Sequence, residues 1–195
     1  DLFLSTWDGR VWSVPEPVTE LNSEKNERGP AFSGDGNFLY FSSDRKGGNG
    51  GYDIYVSRNE GTKWSTAKLL DESINTPKDE LGPAPAEDGQ KLFFSSNREG
   101  DKNDIYLAIK VTDSNPSETP EEKKEALPFP AFSNVEAVND INSESEDLQA
   151  SLTRRGSHIF LASDRDQDQN KGFSVYLSRV VNGEEFPPEK IDLYM

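Results

Sequence analysis

The sequence predicts an all-β fold, a β-propeller of four-stranded antiparallel blades with about three full blades plus part of another. Three segments, 22–45, 75–98 and 142–165, align without a gap, and such internal repeats are typical of blade arrays. In each segment two short apolar runs flank a turn with glycine at position 36, 89 or 156, and this pattern indicates an antiparallel hairpin. No long segment has the periodicity of a helix.

Residues 1–21 are predicted to be half of a blade, the second half. Residues 1–5 align with 53–57, and Trp12 aligns with Trp64, so we expect both tryptophans to pack at the start of a fourth strand. Three and a half blades leave unpaired sheet edges. We therefore expect a portion of a larger propeller, which the rest of a longer chain completes.

The full blades are predicted to span 22–74, 75–141 and 142–195, so that residues 1–195 form a single propeller region. Each blade has four strands in the same order. First strands are expected at 30–33, 83–86 and 150–153, and second strands at 38–41, 91–94 and 158–161. Third strands are expected at 53–56, 104–107 and 174–177, and fourth strands at 67–70, 135–138 and 190–193.

The second blade carries an insertion at 112–130. This stretch is rich in proline, glutamate and serine and poor in bulky residues, so it offers little apolar surface to bury. We expect an exposed loop between the third and fourth strands, and a helix at 118–126 is the less favoured alternative. A second loop, GGNGG at 47–51, lies between strands without a following helix and is predicted to be a flexible hairpin loop.

Charge and composition exclude several classes of function. The chain has 36 acidic and 21 basic residues and a net charge of -15, which repels nucleic acid and anionic membrane. No apolar run reaches the roughly 18 residues that span a bilayer, so we predict no transmembrane segment. Cysteine is absent, which excludes disulfides and cysteine zinc sites.

The repeat resembles the TolB-type, WD-repeat-like propeller repeat of bacterial cell-envelope proteins. The resemblance is carried by GPAFSGDG at 29–36, LYFSSDR at 39–45 and GGYDIYVS at 50–57. It implies a periplasmic or cell-surface location of an exported bacterial protein. It also implies a binding or scaffolding role, in which loops and the channel mouth meet a protein or a cell-wall glycan.

One acidic residue and one arginine recur in every repeat and are the candidate binding residues. The acid precedes the first strand and the arginine follows the second, and antiparallel pairing brings these two points together. A charge-assisted hydrogen bond within each blade is the favoured interpretation, and a polar ring that grips a partner is the other. The residues are Glu27, Glu80 and Asp147, with Arg45, Arg98 and Arg165.

We expect no cofactor. The one that the sequence raises as a possibility is a calcium ion. Asp164, Asp166 and Asp168 stand at alternate positions, a spacing that suits the oxygen ligands of Ca²⁺. The EF-hand pattern fails because Gln169 and Val175 replace its glycine and glutamate. A solvated loop is therefore favoured over the metal site.

The sequence shows no catalytic constellation, so we predict a non-enzymatic module. His158 is the only histidine, and no Gly-x-Ser-x-Gly motif occurs. Residues 57–64 are similar to the Asp-box turn of sialidase propellers, which leaves a glycan-binding or glycoside-hydrolysing propeller as the alternative. A third interpretation is the propeller half of a peptidase, whose hydrolase domain is not among these residues.

Overall fold

The fold is all-β, as the sequence predicts. The computed structural model describes residues 1–111, 129–139, 141–152, 158–163, 165, 174–181, 184–185 and 187–190. Within these ranges every regular element is a β-strand, and no helix could span a bilayer. The strands form separate antiparallel sheets that follow one another along the chain.

The sheets correspond to a half-blade and three blades. The half-blade pairs β1 (Phe3–Leu4) with β2 (Glu16–Pro17). Blade 1 contains β3 (Glu27–Phe32), β4 (Phe38–Ser43), β5 (Asp53–Arg58) and β6 (Lys68–Leu69). Blade 2 contains β7 (Glu80–Pro85), β8 (Lys91–Ser96), β9 (Asp104–Lys110) and β10 (Phe132–Ala137). Blade 3 contains β11 (Asp147–Leu152), β12 (His158–Ser163) and β13 (Ser174–Val181), and β13 pairs with both β14 (Glu184–Glu185) and β15 (Glu189–Lys190).

The first strand of each blade begins earlier than predicted. It starts at the recurring acid, and its pairing with the second strand contains a register shift in all three blades. In blades 1 and 2 the shift contains a glycine, Gly29 or Gly82, with φ of 61° and 55°, values that favour glycine. The fourth strand of blade 2 also begins earlier, at Phe132. The predicted strand at 190–193 overlaps β15 only at Lys190, and 191–193 lie outside the described residues.

Successive blades pack face to face. Side chains along a strand alternate between its two faces, so each blade contributes to two different clusters. In β4, Leu39 and Phe41 join a cluster with the half-blade, whereas Phe38 and Tyr40 join a cluster with blade 2. The same alternation recurs in β8, where Phe94 faces blade 1 and Phe93 faces blade 3.

Three apolar clusters therefore lie at three seams. The half-blade seam contains Leu2, Val18, Leu21, Leu39, Phe41 and Tyr55. The seam between blades 1 and 2 contains Phe38, Tyr40, Ile54, Val56, Leu70, Ile74, Leu92, Phe94, Tyr106, Ala108 and Phe132. The seam between blades 2 and 3 contains Ala84, Phe93, Ile105, Leu107, Val138, Ile141, Ala150, Ile159, Leu161 and Tyr176. This stacking is that of propeller blades, and it differs from one continuous sheet.

A recurring asparagine fastens each seam. Its side-chain amide imitates a strand neighbour, accepting from the N–H and donating to the C=O of one residue in the preceding sheet. These two distances are 2.6 and 2.9 Å for Asn22 with Leu2, 2.7 and 3.0 Å for Asn75 with Ile54, and 2.7 and 2.9 Å for Asn142 with Ile105. The sequence alignment contained this asparagine but did not indicate its role.

The glycine-rich loop at 47–51 is held by hydrogen bonds and by close contact with the next blade, and its flexibility stays a prediction. The N–H groups of Asn49 and Gly50 donate to the carboxylate of Asp53, at 3.1 and 3.3 Å. A Cβ on Gly50 would lie 2.0 Å from the Lys78 carbonyl oxygen, so glycine is required by the close approach of the next blade.

The insertion at 112–130 is corrected at its end. Residues 112–128 lie outside the described residues. Pro130 is buried and Phe129 is half-buried, with its ring centroid 6.2 Å from that of Phe38 in blade 1. The exposed-loop prediction is therefore wrong for these two residues. The ring of Phe129 packs against the apolar seam between blades 1 and 2, although the segment around it is polar.

Candidate functional site

The recurring acid and arginine form an ion pair within each blade. The distance from Arg Nη2 to the carboxylate oxygen is 3.0 Å for Arg45–Glu27, 3.6 Å for Arg98–Glu80 and 2.7 Å for Arg165–Asp147. The acidic side chains are fully buried, and 14–18% of each arginine side chain is exposed. The ion pair expected from the repeat is thus present in all three blades.

Hydroxyl groups complete the surroundings of each acid. The residue that follows the recurring asparagine donates its hydroxyl to the carboxylate, at 2.5 Å for Ser23, 2.7 Å for Thr76 and 3.0 Å for Ser143. A serine at the end of the second strand donates as well in blades 1 and 2, from Ser43 at 3.0 Å and from Ser96 at 2.7 Å. These bonds compensate for burying the negative charge.

Each arginine also holds the segment that enters its blade. Its Nη2 donates to a backbone carbonyl there, at 2.6 Å for Leu21, 2.5 Å for Ile74 and 2.7 Å for Ile141. The guanidinium lies over the ring of a third-strand tyrosine, 4.7 to 4.8 Å from the centroid, at Tyr55, Tyr106 and Tyr176. Burial raises the pKa of Tyr106 to about 12, so this ring stays neutral beneath its arginine. We call this arrangement the brace.

The braces of blades 1 and 2 differ in electrostatics. Burial acts to raise the pKa of Glu27, but hydrogen bonds from Ser23 and Ser43 and the charge of Arg45 outweigh it, and the pKa lies below its usual value. Burial of Glu80 instead dominates, and its pKa is raised in spite of equivalent partners. The longer ion pair in blade 2, 3.6 against 3.0 Å, agrees with this difference.

An open groove lies along the turn between β5 and β6. Its larger part has a volume of about 970 Å³ and its smaller part about 560 Å³. Glu20, Lys63 and Trp64 line both parts, so the two are adjacent. The groove thus runs from the half-blade, past the Asp-box-like turn, to Phe129 of blade 2. We call it the Trp64 groove.

Cations outnumber acids in the larger part of the Trp64 groove. Arg58, Lys63 and Lys68 line it, with Glu20 and Glu60. Glu60 contacts two of the cations, Arg58 at 3.3 Å and Lys63 at 3.8 Å. In a chain with a net charge of -15, this is a locally positive surface.

Aromatic rings give the Trp64 groove a second character. The ring of Phe129 lies between two cations, with its centroid 4.3 Å from Lys68 Nζ and 5.3 Å from Arg58 Cζ. Trp64 is half-buried, as predicted, and its centroid lies 5.8 Å from that of Phe32, which is 53% exposed. The aligned Trp12 is 66% exposed and packs only on Trp7 at 5.4 Å, so the prediction that it packs on a strand is wrong.

Sequence reasoning did not find the Trp64 groove. Its walls come from the half-blade, from the turn at 59–64 and from Phe129, which are far apart in the sequence. The one available signal was the similarity of residues 57–64 to an Asp-box turn. The candidate binding residues that sequence reasoning did select belong to the braces, and their contact with a partner stays a prediction.

The calcium and catalytic hypotheses receive no test from the described part of the chain. Asp164, Asp166 and Asp168 lie outside it. Within it, no group of three or more acidic, histidine or cysteine side chains could hold a metal ion. His158 is the first residue of β12.

Two solved structures are similar to the chain in fold. TolB from Acinetobacter baumannii matches with a TM-score of 0.52 at 17% identity, over 86% of this chain and 33% of that chain. A puromycin-hydrolyzing peptidase of Mycobacterium tuberculosis matches with a TM-score of 0.53 at 12% identity, over 98% and 30%. The chain therefore spans about a third of the length of each, and the likeness supports the propeller fold alone. No family model and no curated protein matches the sequence.

Proposed function

We propose that the chain is a non-enzymatic β-propeller binding module of an exported bacterial envelope protein, which presents its loops and the Trp64 groove to a protein or glycan partner. The observation that carries the proposal is the groove itself. It is open, its larger part is lined by three cations and two acids on an acidic chain, and its Lys63 and Lys68 stand where the aligned half-blade has Val11 and Glu16. Recurring residues maintain the fold, and the ones that do not recur are available for recognition.

The braces support the same division of roles. In each brace an arginine pairs with a carboxylate whose side chain is fully buried. A partner that approaches this end of a blade meets the small exposed fraction of the arginine and not the acid. We therefore assign partner recognition first to the groove, and to the arginines only as a second contact.

The envelope location rests on the TolB-type resemblance of the repeat. A net charge of -15 also disfavours nucleic acid as the partner. The sialidase-like alternative is not favoured, since the Asp-box-like turn contributes groove lining alone.

The test is binding of the 195-residue chain to two immobilised probes, isolated peptidoglycan sacculi and detergent-solubilised envelope proteins. We expect saturable binding to one of them and no change in the mass of either after long incubation. A control with reversed charges, Lys63→Glu and Lys68→Glu, should bind more weakly. Absence of saturable binding to both probes, or hydrolysis of the glycan, would contradict the proposal.

A further inference from the structure

We infer that the Trp64 groove binds an oligosaccharide that carries carboxylates. The inference rests on the proposed function and specifies the chemistry of its ligand. Three features of the larger part of the groove support it, and each concerns a different property of the ligand: its charge, its ring faces and its hydroxyl groups.

Three cations and two acids line the larger part of the groove, and this excess of one positive charge favours an anionic ligand. The side chain of Lys63 is 65% exposed, and Lys68 is exposed as well, so both ammonium groups can contact a ligand without unfolding any element. Arg58 is held in direction by Glu60 and by the ring of Phe129. The ammonium group of Lys68 also lies against the ring of Phe129. A cation fixed beside a ring loses less side-chain entropy when it binds a carboxylate than a freely moving lysine does.

The rings favour a sugar over a peptide. Trp64 and Phe129 are both half-buried, so each presents part of its ring to the groove. The C–H face of a pyranose packs on such a ring while its hydroxyls remain free to bond elsewhere. None of the described residues that line the larger part is aliphatic, so the rings of Trp64 and Phe129 are its apolar surfaces.

Polar groups beside the rings match the hydroxyls of a sugar. Ser65, Thr66 and Glu60 line the same part of the groove as Trp64. Their hydroxyl and carboxylate oxygens accept hydrogen bonds, and the two serine and threonine hydroxyls donate as well. A uronic-acid oligomer would therefore lie along the groove, its carboxylates toward Lys63 and Lys68 and one ring against Trp64.

The indole N–H groups of the three tryptophans provide the test. We propose to titrate the ¹⁵N-labelled chain with a hexamer of galacturonic acid and, separately, with uncharged maltohexaose and a hexamer of glutamic acid. Trp7 and Trp12 of the half-blade line neither part of the groove and serve as internal controls. The Trp64→Phe variant assigns the signal.

The inference predicts that galacturonate shifts the Trp64 signal and leaves the signals of Trp7 and Trp12 in place. The double variant Lys63→Gln and Lys68→Gln should bind about fivefold to tenfold more weakly, and added salt should weaken binding further. Lys78→Gln removes an exposed lysine far from the groove and should leave the affinity unchanged.

An unmoved Trp64 signal would overturn the inference, as would equal affinity for maltohexaose or tighter binding of the glutamate hexamer at Trp64. If Trp64 is unmoved while saturable binding to sacculi or envelope proteins persists, the ligand assignment fails and the proposed function stands. Loss of that saturable binding as well would remove both.

Discussion

The half-blade and blade 1 contain the same turn in two different surroundings. In blade 1 the hydroxyl of Ser57 donates to the Ser65 carbonyl at 2.7 Å, and in the half-blade Ser5 donates to Ser13 at 2.6 Å. A backbone N–H in each turn donates to the second serine's hydroxyl, at 3.0 and 2.9 Å. The local sequence therefore determines the turn without help from the neighbouring sheets.

Burial in the same two regions is opposite. Tyr55 of blade 1 is 5% exposed, whereas the aligned Phe3 is 59% exposed. The reason is that β5 lies between β4 and β6, whereas β1 pairs only with β2 among the described strands. Hydrogen bonds of the turn are thus a local property, and burial depends on the sheets on either side.

The largest difference in the free energy of unfolding is expected between two phenylalanine-to-alanine substitutions, one at a buried ring and one at an exposed ring. Phe94→Ala removes a fully buried ring at the seam between blades 1 and 2 and should lower the free energy of unfolding by about 3–5 kcal/mol. Phe3→Ala removes a ring that is mostly exposed and should change it by less than about 0.5 kcal/mol. Urea unfolding measures both, and equal effects would break the comparison.

The recurring asparagine allows a comparison of two seams. Asn75→Ala removes the hydrogen bonds of the buried Ile54 N–H and Leu70 carbonyl, and one of the two that the Ile54 carbonyl accepts, and should cost about 2–4 kcal/mol. Asn22→Ala removes the two hydrogen bonds to Leu2, which are only partly buried because Asn22 is half-buried, and should cost about 1 kcal/mol. The free energies of unfolding check the order, and a larger cost at Asn22 would contradict the account.

Glycine substitutions test how closely blades 1 and 2 approach each other. A Cβ on Gly34 would lie 2.2 Å from the carbonyl oxygen of Glu87, a backbone atom of blade 2, so Gly34→Ala should cost about 1–3 kcal/mol. Gly100→Ala is the matched control, because no atom lies within 4 Å of its added Cβ. Its free energy of unfolding should stay within about 1 kcal/mol of the parent. Thermal unfolding of both variants decides, and a tolerated Gly34→Ala would contradict the packed seam.

The smallest effect concerns pH and compares two braces. Glu27 has a lowered pKa in the folded state, so the stability it contributes is present above its unfolded value of 4.5 and is lost as pH falls through the folded pKa. Glu80 has a raised pKa, so its ionisation destabilises the fold, and this cost develops as pH rises from 4.5 through the folded pKa.

Urea titrations between about pH 3 and pH 7 of the parent, Glu27→Gln and Glu80→Gln would separate these contributions. On acidification the stability difference between parent and Glu27→Gln should shrink, whereas the difference for Glu80→Gln should grow in favour of the parent. The same sign of change in both variants would contradict the assigned pKa directions.

Much of the fold was predictable because the repeat carries it. The turn glycines and the apolar second and third strands are local signals, and they placed β4, β5, β8 and β9 correctly. The first strands were placed too late, because each contains a register shift that the sequence pattern does not indicate. The ion pairs followed from antiparallel pairing alone.

The Trp64 groove could not be predicted for a physical reason. It forms where a turn of blade 1, the half-blade and Phe129 of blade 2 meet, and such a meeting depends on packing between sheets. Phe129 itself lay in a segment whose composition indicated exposure. The composition of a segment describes all its residues together, so it does not indicate that a single ring packs against an apolar seam.

The most direct test of the account measures hydrogen bonds across two equivalent seams. The N–H of Glu80 donates to the carbonyl of Tyr52 at 2.7 Å, and the N–H of Asp147 donates to that of Asn103 at 2.7 Å. Scalar couplings between each amide nitrogen and the carbonyl carbon of its acceptor can be recorded by NMR. The account predicts a coupling at both seams and slow exchange of both amide protons. Absence of both couplings, with rapid exchange of the two protons, would show that these sheets do not stack as blades.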